Sequence, residues 1–468
     1  MSKWLHELPA IIGLLVAVAV VLTRLPRVEL GHSAGFRRRR LWNWLPLGLT
    51  YAFLYMARYN LDVAKNAGLM DKGDLGTVSA IGMWVYGLSF LLNGPLTDRL
   101  GGRKTILIAA AGAAFTNILM GALVVMRWNG HDYVTSAVPT FGLLYGLNMY
   151  FQSFGAVSIV KVNARWFHLR ERGTFGGIFG ILIALGLYFA YDWNKLISDS
   201  MPLEWVFFIP AIILIAFVFI DSLLVFDRPS DTGHIDFDVA DATHAADDRM
   251  TVRQVFVKMF SHPVIMTIAV VELMTGFVRG AVMKWTYIFL PETGHAGSYI
   301  YQHWGMTICV AGILGGVVAG TVSDRLFHSR RGPSAAMLYA LTAAVLALTV
   351  TLIHDDAAAV LFACAMMSLI GIHGMLSGTA SMDFGGTRNV GVAVGIIDGM
   401  VYLGNGAQSL LYGHLLPEKS KPGAVGGPAA DAANWVSLPI ICAAVSAVAF
   451  VVCLRLWHAK ANRTAPAH

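Results

Sequence analysis

The stretch Gly94-Pro95-Leu96-Thr97-Asp98-Arg99-Leu100-Gly101-Gly102-Arg103-Lys104 decides the fold of this 468-residue chain. A weaker copy lies 226 residues further on, at Gly320-Thr321-Val322-Ser323-Asp324-Arg325-Leu326-Phe327. Each copy follows an apolar run long enough to cross a membrane. Because the same short loop recurs at corresponding places, the chain is predicted to be a duplicated membrane bundle.

The composition is that of a membrane protein. Hydrophobic residues make up 56% of the chain and charged residues only 13%, whereas a soluble chain carries about 25% charged residues. The recurring apolar stretches predict helices rather than barrel strands, because barrel strands are shorter and alternate in polarity. The fold class is therefore an all-α polytopic membrane protein.

Twelve membrane spans are predicted, in two sets of six. The first set lies near residues 42–64, 76–97, 105–126, 139–163, 173–191 and 204–226. The second set lies near residues 263–288, 300–322, 335–353, 356–381, 391–416 and 434–457. A further apolar run at 9–23 is followed rather than preceded by positive charges, which favours an extra N-terminal helix over a secretory signal.

The domain organisation follows from these spans. Six-helix halves are predicted at 37–226 and 263–457, joined by an acidic cytoplasmic linker at 227–262. Residues 1–36 would hold the extra transmembrane helix and a basic connector, and 458–468 a cytoplasmic tail.

Basic residues give the orientation. With Arg37–Arg40 placed in the cytoplasm, 23 of the 34 lysines and arginines fall in cytoplasmic segments, whereas eight fall outside, including Lys72 and Lys284. This asymmetry follows the positive-inside rule. It predicts a cytoplasmic C-terminus, an outer N-terminus and a bacterial inner (plasma) membrane location. Topology thus explains the net charge of +6, and no nucleic-acid partner is predicted.

Several chemistries find no support in the sequence. The four cysteines lie in predicted spans without metal-ligand spacing, so no metal site is predicted. A phosphate-cradling ATPase loop and a nucleophile constellation are also absent from the sequence. The chain is therefore predicted not to be an enzyme and to need no cofactor.

Two arginines lie deep in the predicted spans, where a charge is costly and usually functional. Arg58 lies past the middle of the first span and Arg279 past the middle of the seventh, and these spans are equivalent in the two halves. Two guanidinium groups facing each other across the pseudo-twofold axis would suit a dianionic phosphate. Alternatively, each arginine neutralises an internal carboxylate, Asp62 for Arg58 and Glu272 for Arg279.

Other residues are candidate substrate contacts. Lys161 supplies a third cation, or else it snorkels to the inner interface. Asp398 is an uncompensated carboxylate near the middle of the eleventh span, and it needs a proton, a ligand hydroxyl or a cation as a partner. The remaining candidates are polar or aromatic residues, several of which could equally hydrogen-bond neighbouring helices: Tyr55, Tyr59, Asn148, Tyr150, Gln152, His373, Asp383, Asn405 and Gln408.

The quoted loop resembles the loop between the second and third helices of major facilitator transporters. Further motifs resemble one branch of that family, the organophosphate:phosphate antiporters, which includes glycerol-3-phosphate, hexose-phosphate and sugar-phosphate exchangers. The matching motifs are Tyr55 shortly before Arg58, Arg279 six residues before Trp285, the loop Ser323-Asp324-Arg325, the linker start Asp227-Arg228-Pro229, and Ile396-Ile397-Asp398-Gly399.

The resemblance implies a major facilitator fold with two pseudo-symmetric six-helix halves. It implies a secondary transporter that exchanges an organic phosphate, such as a sugar phosphate, for inorganic phosphate by alternating access. The chain is expected to work as a monomer in the lipid bilayer. The loop residues expected to act as a conformational latch at one face are Asp98, Arg99, Arg103, Asp324 and Arg325.

Two other functions remain open. The branch contains receptor-like members that bind a sugar phosphate and signal to a kinase, and the same arginines would serve a sensor. A proton-coupled carrier of a different organic anion would use Asp62, Glu272 or Asp398 as its proton site. In addition, Arg165 stands where the glycerol-phosphate carriers have a histidine, so the resemblance does not identify the ester.

Overall fold

In a computed structural model, the described part of the chain is helical and contains no strand. This part comprises residues 31–128, 137–168, 171–237, 257, 260–328, 330–418 and 427–458, without the side chains of 127, 128, 137, 172–179 and 378–394. The predicted extra N-terminal helix and most of the predicted linker lie outside these residues.

Each of the twelve predicted spans overlaps a long helix. The first six are α1 (Ala34–Asn66), α2 (Lys72–Leu100), α3 (Gly102–Trp128), α4 (Ala137–Asn163), α5 (Arg172–Tyr188) and α6 (Trp205–Leu224). The next six are α7 (Pro263–Glu292), α8 (Trp304–Thr321), α9 (Arg331–Thr351), α10 (Ala357–His373), α11 (Ser381–Leu415) and α12 (Ser437–Leu454). Within the described residues, nine of them are long and apolar enough to cross a membrane.

Helix α1 begins eight residues before the predicted span. Its N-cap is Ser33, whose hydroxyl oxygen accepts a hydrogen bond from the Phe36 amide at 3.1 Å. The first turns contain Arg37–Arg40, and a search for apolar segments does not include such charged residues. In the structure, Arg40 pairs with Glu171 at 2.9 Å, and Arg39 donates to the Leu224 carbonyl at 2.8 Å. These tertiary contacts stabilise polar helical turns beyond the apolar span.

The described residues form two compact units. The first contains the residues up to Leu69 together with those from Leu92 to Phe237, and the second contains Met70–Leu91 together with the residues from Val257 onward. The first part of α2 therefore belongs to the second unit. The domain boundaries stated above stay a prediction. The two compact units are defined by contacts between residues, whereas the predicted domains are defined by the duplication of six helices.

In the second unit, α7 and α11 pack backbone against backbone. A Cβ atom on Gly276 would lie 1.9 Å from the Val401 carbonyl oxygen, and one on Gly404 would lie 1.9 Å from the Leu273 carbonyl oxygen. Such distances leave no room for any side chain at either glycine. The contact fixes α7, which carries Arg279, against α11.

We expect Gly276→Ala to lower the free energy of unfolding by about 1–3 kcal/mol, the usual cost of overpacking a close-packed interior. The added methyl group meets a carbonyl oxygen, and only a shift of a whole helix could relieve the clash. The measurement is the thermal unfolding midpoint of the purified protein in detergent. Gly316→Ala on α8 is the matched control, because a Cβ atom there meets nothing within 4 Å. Equal midpoints for the two variants would contradict the prediction.

Candidate functional site

Arg58 is fully buried in the first unit. Its Nε donates to Gln152 Oε1 at 3.0 Å. The guanidinium carbon lies 4.6 Å from the centroid of the Tyr55 ring, within the range of a cation–π attraction. The hydrogen bond holds one edge of the planar group and the ring holds one face, so the orientation of the guanidinium is fixed.

A chain of amides supports this arrangement. Gln152 Nε2 donates to Asn148 Oδ1 at 3.1 Å, and Asn148 Nδ2 donates to the Ala57 carbonyl at 3.0 Å. The Thr116 hydroxyl donates to the same Asn148 oxygen at 3.3 Å. Gln152 therefore contacts Arg58 directly, whereas Asn148 acts through Gln152. For Asn148, the alternative of helix–helix hydrogen bonding is the one that the structure supports.

Aromatic rings continue from Tyr55 along α1. The Tyr55 ring centroid lies 5.5 Å from that of Tyr51 and 5.9 Å from that of Tyr59. Tyr59 in turn stacks on Tyr191, and the Tyr191 hydroxyl donates to Asp62 Oδ2 at 3.0 Å. The predicted residues Tyr55 and Tyr59 thus lie with Arg58 in one aromatic layer.

Arg279 lies half-buried on α7 in the second unit. Glu272, the carboxylate proposed to neutralise it, instead lies with its Oε2 2.8 Å from His373 Nδ1. The hydrogen bond described for Glu272 is thus to His373, and its pairing with Arg279 stays a prediction. That Arg58 and Arg279 face each other stays a prediction.

Lys161 lies away from the guanidinium of Arg58. Its Nζ pairs with Asp98 Oδ1 at 2.5 Å, and its side chain is 31% exposed. It follows Gln152 by nine residues on α4, which is about 13 Å along the helix axis. This position favours the alternative of an interface lysine. A substrate contact for Lys161 stays a prediction without geometric support.

The loop motif of the first unit surrounds a charged cavity of about 290 Å³. Its lining joins the loop, the end of α4 and the predicted start of the linker: Asp98, Arg99, Leu100, Gly101, Lys161, Arg165, Asp227, Arg228 and Asp231. Asp98 finds its basic partner on α4. Arg99 lines the cavity and is exposed.

Asp227 locks the loop in place. Its Oδ1 accepts a hydrogen bond from the Arg103 amide at 3.0 Å, and the Arg103 guanidinium carbon lies 4.6 Å from the Phe226 ring centroid. Gly101 has φ +89°, and a Cβ atom there would lie 2.6 Å from Asp227 Oδ2. Both the backbone conformation and the close carboxylate therefore require glycine at this position.

The second loop copy carries a similar ion pair. Arg331 Nη1 donates to Ser323 Oγ at 2.8 Å and lies 3.4 Å from Asp324 Oδ1. Arg325 is exposed. Both loop aspartates thus pair with basic side chains, although their role as a latch stays a prediction.

Asp398 accepts a hydrogen bond from the Ser377 hydroxyl in the second unit. Ser377 follows His373 by four residues in the helical segment that continues α10. A hydroxyl is a weaker partner for a carboxylate than a cation, so Asp398 remains a candidate for a ligand contact.

Two lysines that were counted in outer segments are buried. Lys284 lies inside α7 with 2% exposure, and its Nζ donates to Ser79 Oγ at 2.5 Å. Lys72 is fully buried and pairs with Glu292. Lys284 falls within the span predicted at 263–288, so it belongs with the charges inside the spans. Lys72 is the first residue of α2, and its place in an outer segment stays a prediction.

Asp221 on α6 is a buried carboxyl group that the sequence analysis missed. Its Oδ2 lies 2.7 Å from the Thr50 hydroxyl oxygen, and its Oδ1 has no hydrogen-bond partner among the described residues. The sequence could have indicated this residue, because a carboxylate inside a predicted membrane span, here the sixth, is usually functional.

We expect Gln152→Leu to lower the free energy of unfolding by about 1–3 kcal/mol, because it removes an acceptor from a buried guanidinium. Gln152→Glu is the matched variant. It keeps the acceptor for Arg58 and adds a compensating charge but loses the donor to Asn148, so its stability should lie between those of Gln152→Leu and the wild type. Thermal unfolding in detergent, followed by tryptophan fluorescence, tests both. A Gln152→Leu midpoint equal to that of the wild type would show that the Arg58–Gln152 hydrogen bond stabilises nothing.

The sequence is similar to phosphate-ester carriers. A Bacillus subtilis glycerol-3-phosphate transporter is 28% identical over 407 residues, which are 80% of this chain and 85% of that protein. A probable hexose phosphate transport protein of Chlamydia pneumoniae is 22% identical over 438 residues, or 88% and 90% of the two chains. The membrane sensor protein UhpC of Escherichia coli is 23% identical over 325 residues, or 63% and 68%. These relatives confirm the resemblance to the organophosphate:phosphate antiporter branch.

Solved structures agree in fold. A bacterial homolog of the human lysosomal transporter Spinster, inward-facing and occupied, superposes with a TM-score of 0.66 at 13% identity, covering 91% of this chain and 97% of that one. A D-xylose-proton symporter gives a TM-score of 0.62 at 15% identity, with coverage of 91% and 98%.

The family profile covers most of the sequence. The Major Facilitator Superfamily profile matches residues 47–408, from within α1 to within α11. Its members are integral, multi-pass membrane transporters and not enzymes. The matched range, the helical architecture and the relatives agree, and the chain therefore belongs to the Major Facilitator Superfamily.

Proposed function

We propose that this protein is a secondary transporter that exchanges an organic phosphate for inorganic phosphate by alternating access. The observation that carries the proposal is the buried and oriented guanidinium of Arg58. The relatives named for glycerol-3-phosphate and hexose phosphate support the same substrate class. The proposal includes a bacterial inner membrane location, an outer N-terminus, a cytoplasmic C-terminus and a monomeric working form.

The chemistry of the arginine favours a phosphoryl group. A planar guanidinium can donate two parallel hydrogen bonds to two oxygens of one phosphate, which a lysine ammonium cannot do. Gln152 and Tyr55 fix the plane of the Arg58 guanidinium. Because the group is already oriented, it loses little conformational freedom when a ligand binds.

In the proposed mechanism, Arg58 from one half and Arg279 from the other bind the same phosphoryl group. Two cations in a medium of low dielectric repel each other strongly, and a bound dianion removes that repulsion. The empty carrier would therefore resist the closure that the loaded carrier undergoes. This dependence on occupancy favours obligatory exchange over leak.

A sensor of the same fold is the second candidate function. It is favoured by the similarity to UhpC, which is named a membrane sensor protein. Counterflow in liposomes distinguishes the two functions. A transporter accumulates labelled phosphate in vesicles preloaded with unlabelled phosphate, whereas a sensor binds phosphate without moving it.

We expect Arg58→Lys and Arg279→Lys each to reduce phosphate counterflow by at least tenfold while the protein stays folded. Lysine keeps the charge but loses the planar pair of donors. Losing one charge-assisted hydrogen bond costs roughly 1.5–3 kcal/mol, or about 10- to 150-fold in affinity. The double variant should be little worse than either single one, because either loss already breaks the site.

The control for these variants is Arg455→Lys, an exposed arginine just beyond α12. It should exchange phosphate at the wild-type rate. Wild-type phosphate affinity in well-folded Arg58→Lys and Arg279→Lys proteins would remove both arginines from the site and the antiporter proposal with them.

We expect Asp98→Asn and Lys161→Gln to slow maximal exchange with little change in the half-saturating phosphate concentration. Their ion pair lies at the loop, remote from Arg58, so it should affect conformational change more than binding. The double variant should be no slower than the slower single variant, since both remove one interaction. Lys195→Gln breaks an ion pair of the same 2.5 Å length with Asp199 and should leave the rate unchanged. A large loss of affinity at an unchanged maximal rate would refute the latch assignment.

A further inference from the structure

Glu272 and His373 form a hydrogen-bonded acid–base pair in the second unit. Glu272 is fully buried on α7, and its Oε2 lies 2.8 Å from His373 Nδ1 on α10. Its Oε1 has no hydrogen-bond partner among the described residues. The His373 side chain is 23% exposed, so the buried carboxyl group is linked to the molecular surface through the imidazole.

Among the described residues, the groups that surround Glu272 are mostly uncharged. Tyr339 on α9 bonds to the Thr275 hydroxyl and the Val271 carbonyl, the neighbours of Glu272 on α7, and not to the carboxyl group. Cys453 on α12 also faces Glu272. A phenol and a thiol are ordinarily uncharged at neutral pH. Asp398 on α11 accepts a hydrogen bond from Ser377. Among the described residues, the basic group bonded to Glu272 is the imidazole of His373.

Burial favours one protonation state of the pair. With one shared proton, as a carboxylate with an imidazolium or as a carboxylic acid with an imidazole, the pair is neutral overall. Removing that proton gives the pair a net negative charge, and adding a second one gives it a net positive charge. Both changes are costly in a medium of low dielectric. The pair is therefore a site that holds a single exchangeable proton.

The position of Arg279 connects this proton to the anion site. Arg279 follows Glu272 by seven residues, so the two lie on the same face of α7, two turns and about 10 Å apart. At that distance, a unit negative charge changes the proton affinity of the pair by about tenfold at an effective dielectric of 20. An anion at Arg279 and a proton on the pair thus stabilise each other.

We propose that Glu272 and His373 are a proton-binding site, and that an anion at Arg279 binds together with a proton on this pair. The second half of this inference rests on the proposed function. Glu272 is favoured over Asp398 as the proton site because its partner is a base, whereas that of Asp398 is a hydroxyl.

The test measures the dissociation constant of inorganic phosphate for the purified full-length protein between pH 6 and pH 9. The titration of phosphate itself is common to all variants, so the wild type is compared with Glu272→Gln at each pH. Gln keeps a hydrogen bond to the imidazole but cannot acquire a negative charge. We expect similar affinities wherever the pair holds its proton. Where the pair has lost it, wild-type binding should be about tenfold weaker than that of the variant.

Two further variants complete the design. His373→Gln removes the base from the pair and should also abolish the wild-type pH profile. Asp221→Asn removes a different buried carboxyl group, bonded to Thr50 in the first unit, and should follow the wild type at every pH. A ratio of wild-type to Glu272→Gln affinity that does not change with pH would overturn the coupling.

A ligand-free measurement separates the proton site from the transport proposal. Nitrogen NMR of His373, identified by its loss in His373→Gln, reports the pH at which the imidazole loses its proton. This pH should change when Glu272 is replaced by Gln, and an unchanged value would overturn the proton site. Failure of the wild type to bind phosphate at any pH, with that shift present, would overturn the proposed function and the coupling but support the proton site.

Discussion

The cost of a charge inside an apolar helix bundle is the constraint on which this structure depends. Each buried charge needs a fixed partner, and each partner needs support of its own. Arg58 bonds to Gln152, which bonds to Asn148, which is held by α1 and α3. The partner of Lys284 is the hydroxyl of Ser79, and the partner of Glu272 is the imidazole of His373. These polar residues on otherwise apolar helices are therefore grouped around a few charges. Their hydrogen bonds favour one arrangement of the helices over others.

The sequence predicts the fold well, because length and apolarity are local properties. The twelve predicted spans all overlap helices, and the deep arginines are recognisable from their position alone. The start of α1 was missed, since its polar turns depend on contacts with Glu171 and the Leu224 carbonyl. The family was recognisable because a loop motif is contiguous in sequence.

Partners are harder to predict, because they come from distant segments. Glu272 could be matched to Arg279 on the same helix, but its observed partner is His373, 101 residues away. Lys161 could be assigned to the substrate site near Arg58, but it pairs with Asp98 at the loop. Periodicity predicts the face of a helix on which a residue lies. Which neighbouring helix that face contacts is decided by tertiary packing. The periodicity of a single sequence does not give this information.

The contact between Gly101 and Asp227 joins two segments that are far apart in the chain. A Cβ atom at position 101 would collide with the carboxylate at 227, and the same carboxylate accepts a hydrogen bond from the Arg103 amide. Substitutions in the loop and at the start of the connecting segment are therefore expected to depend on each other. A shorter side chain at 227 would relax the steric demand on 101 but leave the Arg103 amide without its acceptor. Evolutionary exchange at either position is thus constrained by the other, and relatives should vary the two positions together.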